Sequence, residues 1–177
     1  PVTINGGDRL SRRPAAHLRR AGMIANFHYW PNVDAFERLA RDWAPRLAER
    51  GISCVVAGLG SSNLPARRHV DIMGEVADVA AFYDSVDFTC SPVALGGGMK
   101  DKVVESLLRG VPVAASPHSV TGLPPDVADL VHVVNLESPD FRAITTAARL
   151  DADSTALEPF TSSFLERTVA SILADLA

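Results

Sequence analysis

Val86-Asp87-Phe88-Thr89-Cys90-Ser91 is a run of apolar and β-forming residues, and Pro92 breaks it. Gly96-Gly97-Gly98 follows, then Met99-Lys100-Asp101-Lys102-Val103-Val104-Glu105-Ser106-Leu107-Leu108-Arg109, whose spacing predicts a helix over Lys100 to Arg109 stopped by Gly110. Val111 to Ser116 is a second strand. A strand, a glycine-rich turn, a helix and another strand in that order make one unit of a parallel sheet. Upstream, Gly22 to Phe27 reads as the first strand, and Pro31-Asn32 leads into a helical run. That run carries Val33, Phe36, Leu39, Ala40, Trp43 and Leu47 at three- and four-residue spacing and is capped by Gly51. Ile52 to Ala57 is a strand running into Gly58-Leu59-Gly60, His69 to Met73 a short strand stopped by Gly74, and Val76 to Ser85 a helix. Downstream, the turn-rich stretch Pro117 to Pro125 leads to a strand at Leu130 to Asn135, and helices are expected near Asp140–Leu150 and Phe160–Leu176. The expected fold is α/β: a doubly wound, mainly parallel six-stranded sheet with helices on both faces.

Composition narrows the possibilities. The chain has 177 residues, 47% of them hydrophobic, which supplies one full-sized core rather than two. The division expected is an N-terminal segment or linker over 1–21 and one domain over 22–177. A net charge of -4, with both signs mixed along the chain, argues against a dedicated nucleic-acid binder, which concentrates basic charge on one face. Arg9, Arg12, Arg13, Arg19 and Arg20 crowd the opening. They read either as a solvated terminus or as a surface that meets another domain or, peripherally, an anionic membrane. Cys54 and Cys90 lie inside apolar strands, the pattern of a reduced, cytoplasmic protein. No run is long enough for a transmembrane segment and the start carries no signal-peptide pattern. The first residue is Pro1 rather than methionine, which reads as a piece of something longer.

Open parallel sheets bind ligands at the carboxyl ends of their strands. Four loops stand there: Asn26 to Trp30, Gly58 to Ser62, Gly74-Glu75-Val76, and Leu95 to Lys100. The last is the most informative. Gly96, Gly97 and Gly98 let backbone amides approach a ligand, and the helix behind them aims the positive end of its dipole at the same spot. Lys100 and Lys102 place full positive charge in a first turn that disfavours it, which makes sense where an anion is to sit. A flexible turn feeding a helix is the plainer alternative. Glu105 has two readings as well: a solvated partner for Arg109 at i+4, or a carboxylate gripping two ribose hydroxyls. On the wheel, Val103, Val104, Leu107 and Leu108 share one arc, with Lys102, Glu105, Ser106 and Arg109 opposite. His28 and His118 read as loop residues. No Cys/His grouping has zinc spacing, so no metal is expected.

The run Ser91 to Ala114 resembles the donor-site signature of retaining group 1 glycosyltransferases of the GT-B fold, polysaccharide-building members included. Ala25-Asn26-Phe27 with Pro31-Asn32-Val33-Asp34-Ala35 is similar to the start of that family's C-terminal, Rossmann-like domain. Met73-Gly74-Glu75-Val76-Ala77-Asp78 and the Thr121-Gly122-Leu123 turn have counterparts too. The resemblance implies a nucleotide-sugar donor as substrate, no further cofactor, and an acceptor-binding N-terminal domain that this chain lacks. It implies that Glu105 holds the donor ribose and that Gly96, Gly97, Gly98, Met99, Lys100 and Lys102 meet phosphate or sugar. Gly74, Glu75 and Val76 would line the base, and Asn26, His28 and Gly58 would border the cleft.

Two positions depart from the pattern. Gly97 stands where many members carry a first glutamate, which removes a sugar contact. The loop Asn26-Phe27-His28-Tyr29-Trp30 lacks the Arg/Lys pair that usually neutralises the diphosphate. Either His28 with Lys100 and Lys102 compensates, or donor affinity is reduced. Other classes on a similar sheet are a nicotinamide-dependent oxidoreductase, disfavoured because no glycine fingerprint follows the first strand, and a non-catalytic interaction domain.

Overall fold

The computed structural model describes residues 18–97, 99–146 and 155–161. Six strands, β1 (Arg20–Ile24), β2 (Ser53–Ala57), β3 (Val70–Gly74), β4 (Phe88–Ser91), β5 (Val113–Ala115) and β6 (His132–Val133), form one sheet. Their order is β3-β2-β1-β4-β5-β6 and every neighbouring pair is parallel. The helices between them are α1 (Trp30–Arg38), α2 (Ala44–Ala48), α3 (Val79–Asp84), α4 (Asp101–Leu108), α5 (Pro125–Ala128) and α6 (Arg142–Thr146). This is the doubly wound arrangement expected from the sequence, reversing direction between β1 and β4.

Strand alternation sorts the core into two layers. Cys54 and Val56 of β2, Phe88 and Cys90 of β4 and Ala114 of β5 face Phe36, Leu39, Trp43 and Leu47 of the first helical run. Val55 and Ala57 face the opposite way, onto Phe82, Tyr83 and Val86, while Val113 and Ala115 meet Val103, Val104 and Leu107 of α4. The buried Trp43 donates from its indole nitrogen to Leu136 O at 2.9 Å and packs edge-on against Phe141, ring centroids 5.5 Å apart. That contact fastens the segment after β6 to the first helical layer.

Besides shorter elements, with β1 ending at Ile24, α3 starting at Val79 and β6 confined to His132–Val133, the structure differs from the sequence reading at four places. The helical run expected through Leu47 is interrupted by a wide π turn over Leu39–Trp43. Pro45 has no N–H and its ring would crowd the carbonyl of Arg41, so the preceding turn widens and Ala44 N–H reaches back to Leu39 O. β1 starts at Arg20, inside the stretch read as an N-terminal segment, because Asp87 Oδ2 accepts the amides of Arg19 and Arg20 at 2.7 and 2.9 Å. Ser106 and Arg109, placed on the open side of the α4 wheel, are both buried. Ser106 Oγ donates to Val111 O at 3.0 Å and lies 2.7 Å from Thr89 Oγ1, so Thr89 supplies the proton between the two hydroxyls. The turn-rich stretch contains α5 and a 3-10 turn over Pro117–Val120. Of the two closing helices, only Arg142–Thr146 and the 3-10 turn Thr155–Phe160 fall within the described residues; the rest of Asp140–Leu150 and Phe160–Leu176 lies outside them, as do Arg9, Arg12 and Arg13. Among the described residues no helix is long and apolar enough to cross a membrane.

Gly22 lets α3 lie against β1. A Cβ there would stand 2.7 Å from Val86 Cγ1 and 2.8 Å from Phe82 Cζ, both fully buried. Gly22→Ala is expected to destabilise the fold by about 1–3 kcal/mol through overpacking, read as a lowered urea midpoint at unchanged slope.

Candidate functional site

The loops at the carboxyl edge are stitched to one another by their backbones. Phe27 N–H donates to Leu59 O at 2.8 Å and Gly58 N–H to Gly74 O at 3.0 Å. Gly58 has φ 118°, and a Cβ on it would lie 2.2 Å from Ala25 O, so only glycine fits where the β1 and β2 loops touch. Gly58 therefore shapes the shelf through its backbone. Glu75 reaches across to accept Gly60 N–H at 3.2 Å, and Val76 packs beside the Val55, Ala57 and Tyr83 layer. Of the three expected base-lining residues, Gly74 and Glu75 are thus tied into the β2 loop. His28 is exposed with its ring against Gly60, and its amide donates to Asn26 Oδ1 at 3.0 Å.

The crevice opens where β1 and β4 part, because the helices that follow them leave on opposite faces. It is a cleft of about 190 Å³ lined by Tyr29, Asn32, Leu95, Gly96, Lys100 and Lys102, among others. Gly97 and Met99 line it too, while Gly98 lies outside the described residues. The glycine loop is held from two sides. Lys100 Nζ donates to Gly96 O at 3.2 Å and to Gly97 O at 3.3 Å, and His118 Nε2 sits 2.7 Å from Gly96 O. Behind it, Ser91, Ser116 and Ser119 form a buried hydroxyl network. Ser119 Oγ donates to Ser91 O at 2.6 Å, and Ser116 Oγ donates to Val93 O. That network fixes the start of the loop to the β5 edge.

Lys102 crosses the crevice. Its ammonium donates to Asn32 Oδ1, on the first turn of α1, at 2.5 Å. Burial, with Lys100 adding repulsion, pulls the Lys102 pKa down to about 8. The Lys100 pKa is also lowered by burial. The two lysines are therefore gathered at one mouth at an electrostatic cost, and each rests on neutral oxygens of the chain.

Glu105 stands one turn further along α4, directed at α3. Its carboxylate is 20% exposed, Oε1 accepts from Arg109 Nη2 at 3.4 Å, and Oε2 accepts from Tyr83 OH at 3.4 Å. Arg109 in turn lies over the Tyr83 ring, 5.3 Å from its centroid. Burial and then the charge of Glu105 push the Tyr83 hydroxyl well above the usual tyrosine range, so it stays a donor. Both contacts are long, and a carboxylate offers about four acceptor positions, which leaves it capacity for further donors. Glu105 accordingly keeps the i+4 pairing with Arg109 of the plainer reading, but it is half-buried rather than solvated, and it does not line the lysine cleft.

Sequence reasoning passed over Asn32, Tyr29 and His118 as site residues. Nothing local marks them, since Asn32 and Lys102 are 70 residues apart and His118 and Gly96 are 22 apart. Large apolar side chains left exposed offer a second signal: Tyr29, Trp30, Leu59, Met73, Leu95 and Val133 all stand at the carboxyl edge of the sheet.

The lowered Lys102 pKa has a consequence for stability. Below about 8 the residue is charged in both folded and unfolded chains and the fold bears the full cost. As pH rises from there toward 10.5, the folded chain has released the proton that the unfolded chain still binds, so the cost fades. The parent chain is expected to gain stability relative to Lys102→Met across that interval, measured by urea unfolding at both ends of it.

The group 1 family of glycosyl transferases matches residues 19–149. Among solved structures, HepE from Anabaena in complex with UDP and glucose superposes with a TM-score of 0.54 at 18% identity, over 90% of this chain and 49% of that one. HepE in complex with UDP gives 0.50 at 16% identity over 90% and 50%, and TarM gives 0.50 at 13% identity over 92% and 31%. The chain thus spans half or less of the length of these neighbours, and at such identities they show the fold. No curated protein matches the chain at a significant level. The match over residues 19–149, on a six-stranded parallel sheet reversing between β1 and β4, settles the family: the chain belongs to the group 1 glycosyl transferases.

Proposed function

We propose that the chain is the donor-binding half of a retaining glycosyltransferase and holds the diphosphate of a nucleotide-sugar in the crevice between β1 and β4. One observation carries this reading: Lys100 and Lys102 are brought together, both with lowered pKa, beside a glycine loop at the reversal point of the sheet. Charged groups gathered in a desolvated cleft cost stability, and a bound anion would offset that cost. The two lysines, with first-turn amides of α4 that have no partner within the helix, would meet negative charge developing on the departing diphosphate. Glu105 would take the ribose hydroxyls on acceptor positions that Arg109 and Tyr83 leave open, and the Gly74 to Val76 edge would line the base.

The apolar side chains exposed along the carboxyl edge support a further domain facing the crevice, the acceptor-binding half in this reading. The reading assigns no metal and no cofactor beyond the donor. Burial pushes the Cys54 thiol up to about 12 and raises that of Cys90, which keeps both as inert thiols and fits a cytoplasmic setting. A polysaccharide acceptor rests on the sequence resemblance.

The non-catalytic reading has one observation in its favour, namely that both lysines are engaged by the chain's own oxygens. Calorimetric titration with UDP, GDP and their sugars separates the two. UDP is the first choice because HepE was solved with it. Weak binding with no turnover is expected of this chain, and Glu105→Ala is expected to weaken nucleotide binding about tenfold while leaving inorganic pyrophosphate unaffected. Silence from every nucleotide, or a Glu105→Ala chain that binds like the parent, would favour the non-catalytic domain. An NADH titration followed by fluorescence tests the oxidoreductase reading, and no binding is expected.

A further inference from the structure

We infer that Asn32 is a positioning residue for the diphosphate: its side-chain oxygen carries the Lys102 ammonium across the crevice and sets where that charge meets an anion. The inference rests on the donor-site reading above.

Asn32 is buried, 9% exposed, on the first turn of α1. Its Nδ2 donates to Asn26 O at 2.8 Å, and this bond fixes the amide so that Oδ1 faces Lys102. Asn26 is itself set by the turn its Oδ1 makes with His28 N–H. A chain of hydrogen bonds thus runs from the β1 loop through Asn32 to the start of α4. Among the described residues Asn32 is the one hydrogen-bond partner of the ammonium, which has three donors, so two remain for a ligand.

The chemistry of the partner matters. An amide oxygen orients a lysine without neutralising it, whereas a carboxylate would cancel the charge. A bridge serving only to pin α1 to α4 gains little from a desolvated, uncompensated ammonium. Holding a cation ready for an incoming anion does require one. The groups facing Lys102 agree with this. Lys100 repels it, Asp101 on the exposed side of α4 attracts it, Asn32 on α1 is neutral, and Tyr29 on the β1 loop lines the same cleft as a phenol. Repulsion and burial leave the site short of negative charge.

The test compares the parent chain with Asn32→Ala, Asn32→Asp, Lys102→Met and the Asn32→Ala/Lys102→Met double variant. Each is titrated calorimetrically with inorganic pyrophosphate and with UDP, and thermal unfolding is followed in parallel. Asn32→Ala is expected to weaken pyrophosphate binding about fivefold and Lys102→Met about tenfold. The double variant should match Lys102→Met alone, because Asn32 acts through the lysine. Affinity of the parent chain should fall as pH rises through about 8, where Lys102 loses its proton. In Asn32→Asp the new carboxylate holds that proton, so the fall moves to higher pH while affinity at neutral pH drops. Equal affinity in the parent, Asn32→Ala and Asn32→Asp overturns the inference and leaves the donor site standing. So does an Asn32→Ala loss that persists undiminished in the Lys102→Met background. Should Asn32→Ala not fold, the pH shift in Asn32→Asp decides alone. No binding of either compound by the parent chain overturns the donor site, and this inference with it.

Discussion

β1 and β4 are hydrogen-bonded neighbours, yet the segments that follow them are sent to opposite faces of the sheet. The arrangement follows from the strand order, since right-handed crossovers that run in opposite directions from β1 and from β4 place their helices on opposite faces. Among the described residues no backbone hydrogen bond joins the loops that follow the two strands. What closes the gap between them is a side-chain contact, Lys102 to Asn32, and what shapes its floor is the glycine loop clasped by Lys100 and His118. The stitched loops order its β1 side and the buried serines its β4 side.

The electrostatics of the gap run against stability. Two lysines enter a partly dry cleft near the start of α4, where the helix dipole already presents positive potential. Surface lysines normally avoid such places, and both lysines respond with a lowered pKa. The contacts that meet them include neutral oxygens: the backbone carbonyls of Gly96 and Gly97 for Lys100 and the amide oxygen of Asn32 for Lys102. Asp101, the nearest carboxylate in sequence, is exposed to solvent. In the proposed reading, a site so arranged stays receptive to an anion. The missing Arg/Lys pair after β1 leaves the lysines of α4 as the positive charge that lines this crevice among the described residues.

Glu105 has a structural role in the fold and, in the proposed reading, a second one toward the donor ribose. Arg109 and Tyr83 anchor it at 3.4 Å each, long enough to orient the group without saturating it. Removing it would strand Arg109, whose Nε is already buried without a partner among the described residues. Its neighbourhood belongs to the α3–α4 seam, and the lysine cleft belongs to the α1–α4 seam. A ligand touching both must therefore extend along the start of α4, as a nucleoside joined to a diphosphate would.

Much of this was legible in the order of residues. Apolar runs of strand length alternating with 3.6-residue periodicity dictate a parallel sheet with helices on both sides, because each pattern can bury only one kind of face. Gly96-Gly97 followed by Lys100 and Lys102 raises the expectation of an anion site, because lysines are costly at a helix start unless something binds, and the proposed function carries that expectation forward. Local patterns miss whatever depends on neighbours distant in the chain. Periodicity put Ser106 and Arg109 on an open face, but Thr89 and Tyr83 arrive from other elements and cover them. Pro45 warned of a break whose form, a widened turn, depends on how the helix must still pack Trp43. Tertiary structure alone decided that both lysines have partners and that Asn32 is one of them. A contact spanning 70 residues is created by the winding of the sheet and has no counterpart in local sequence.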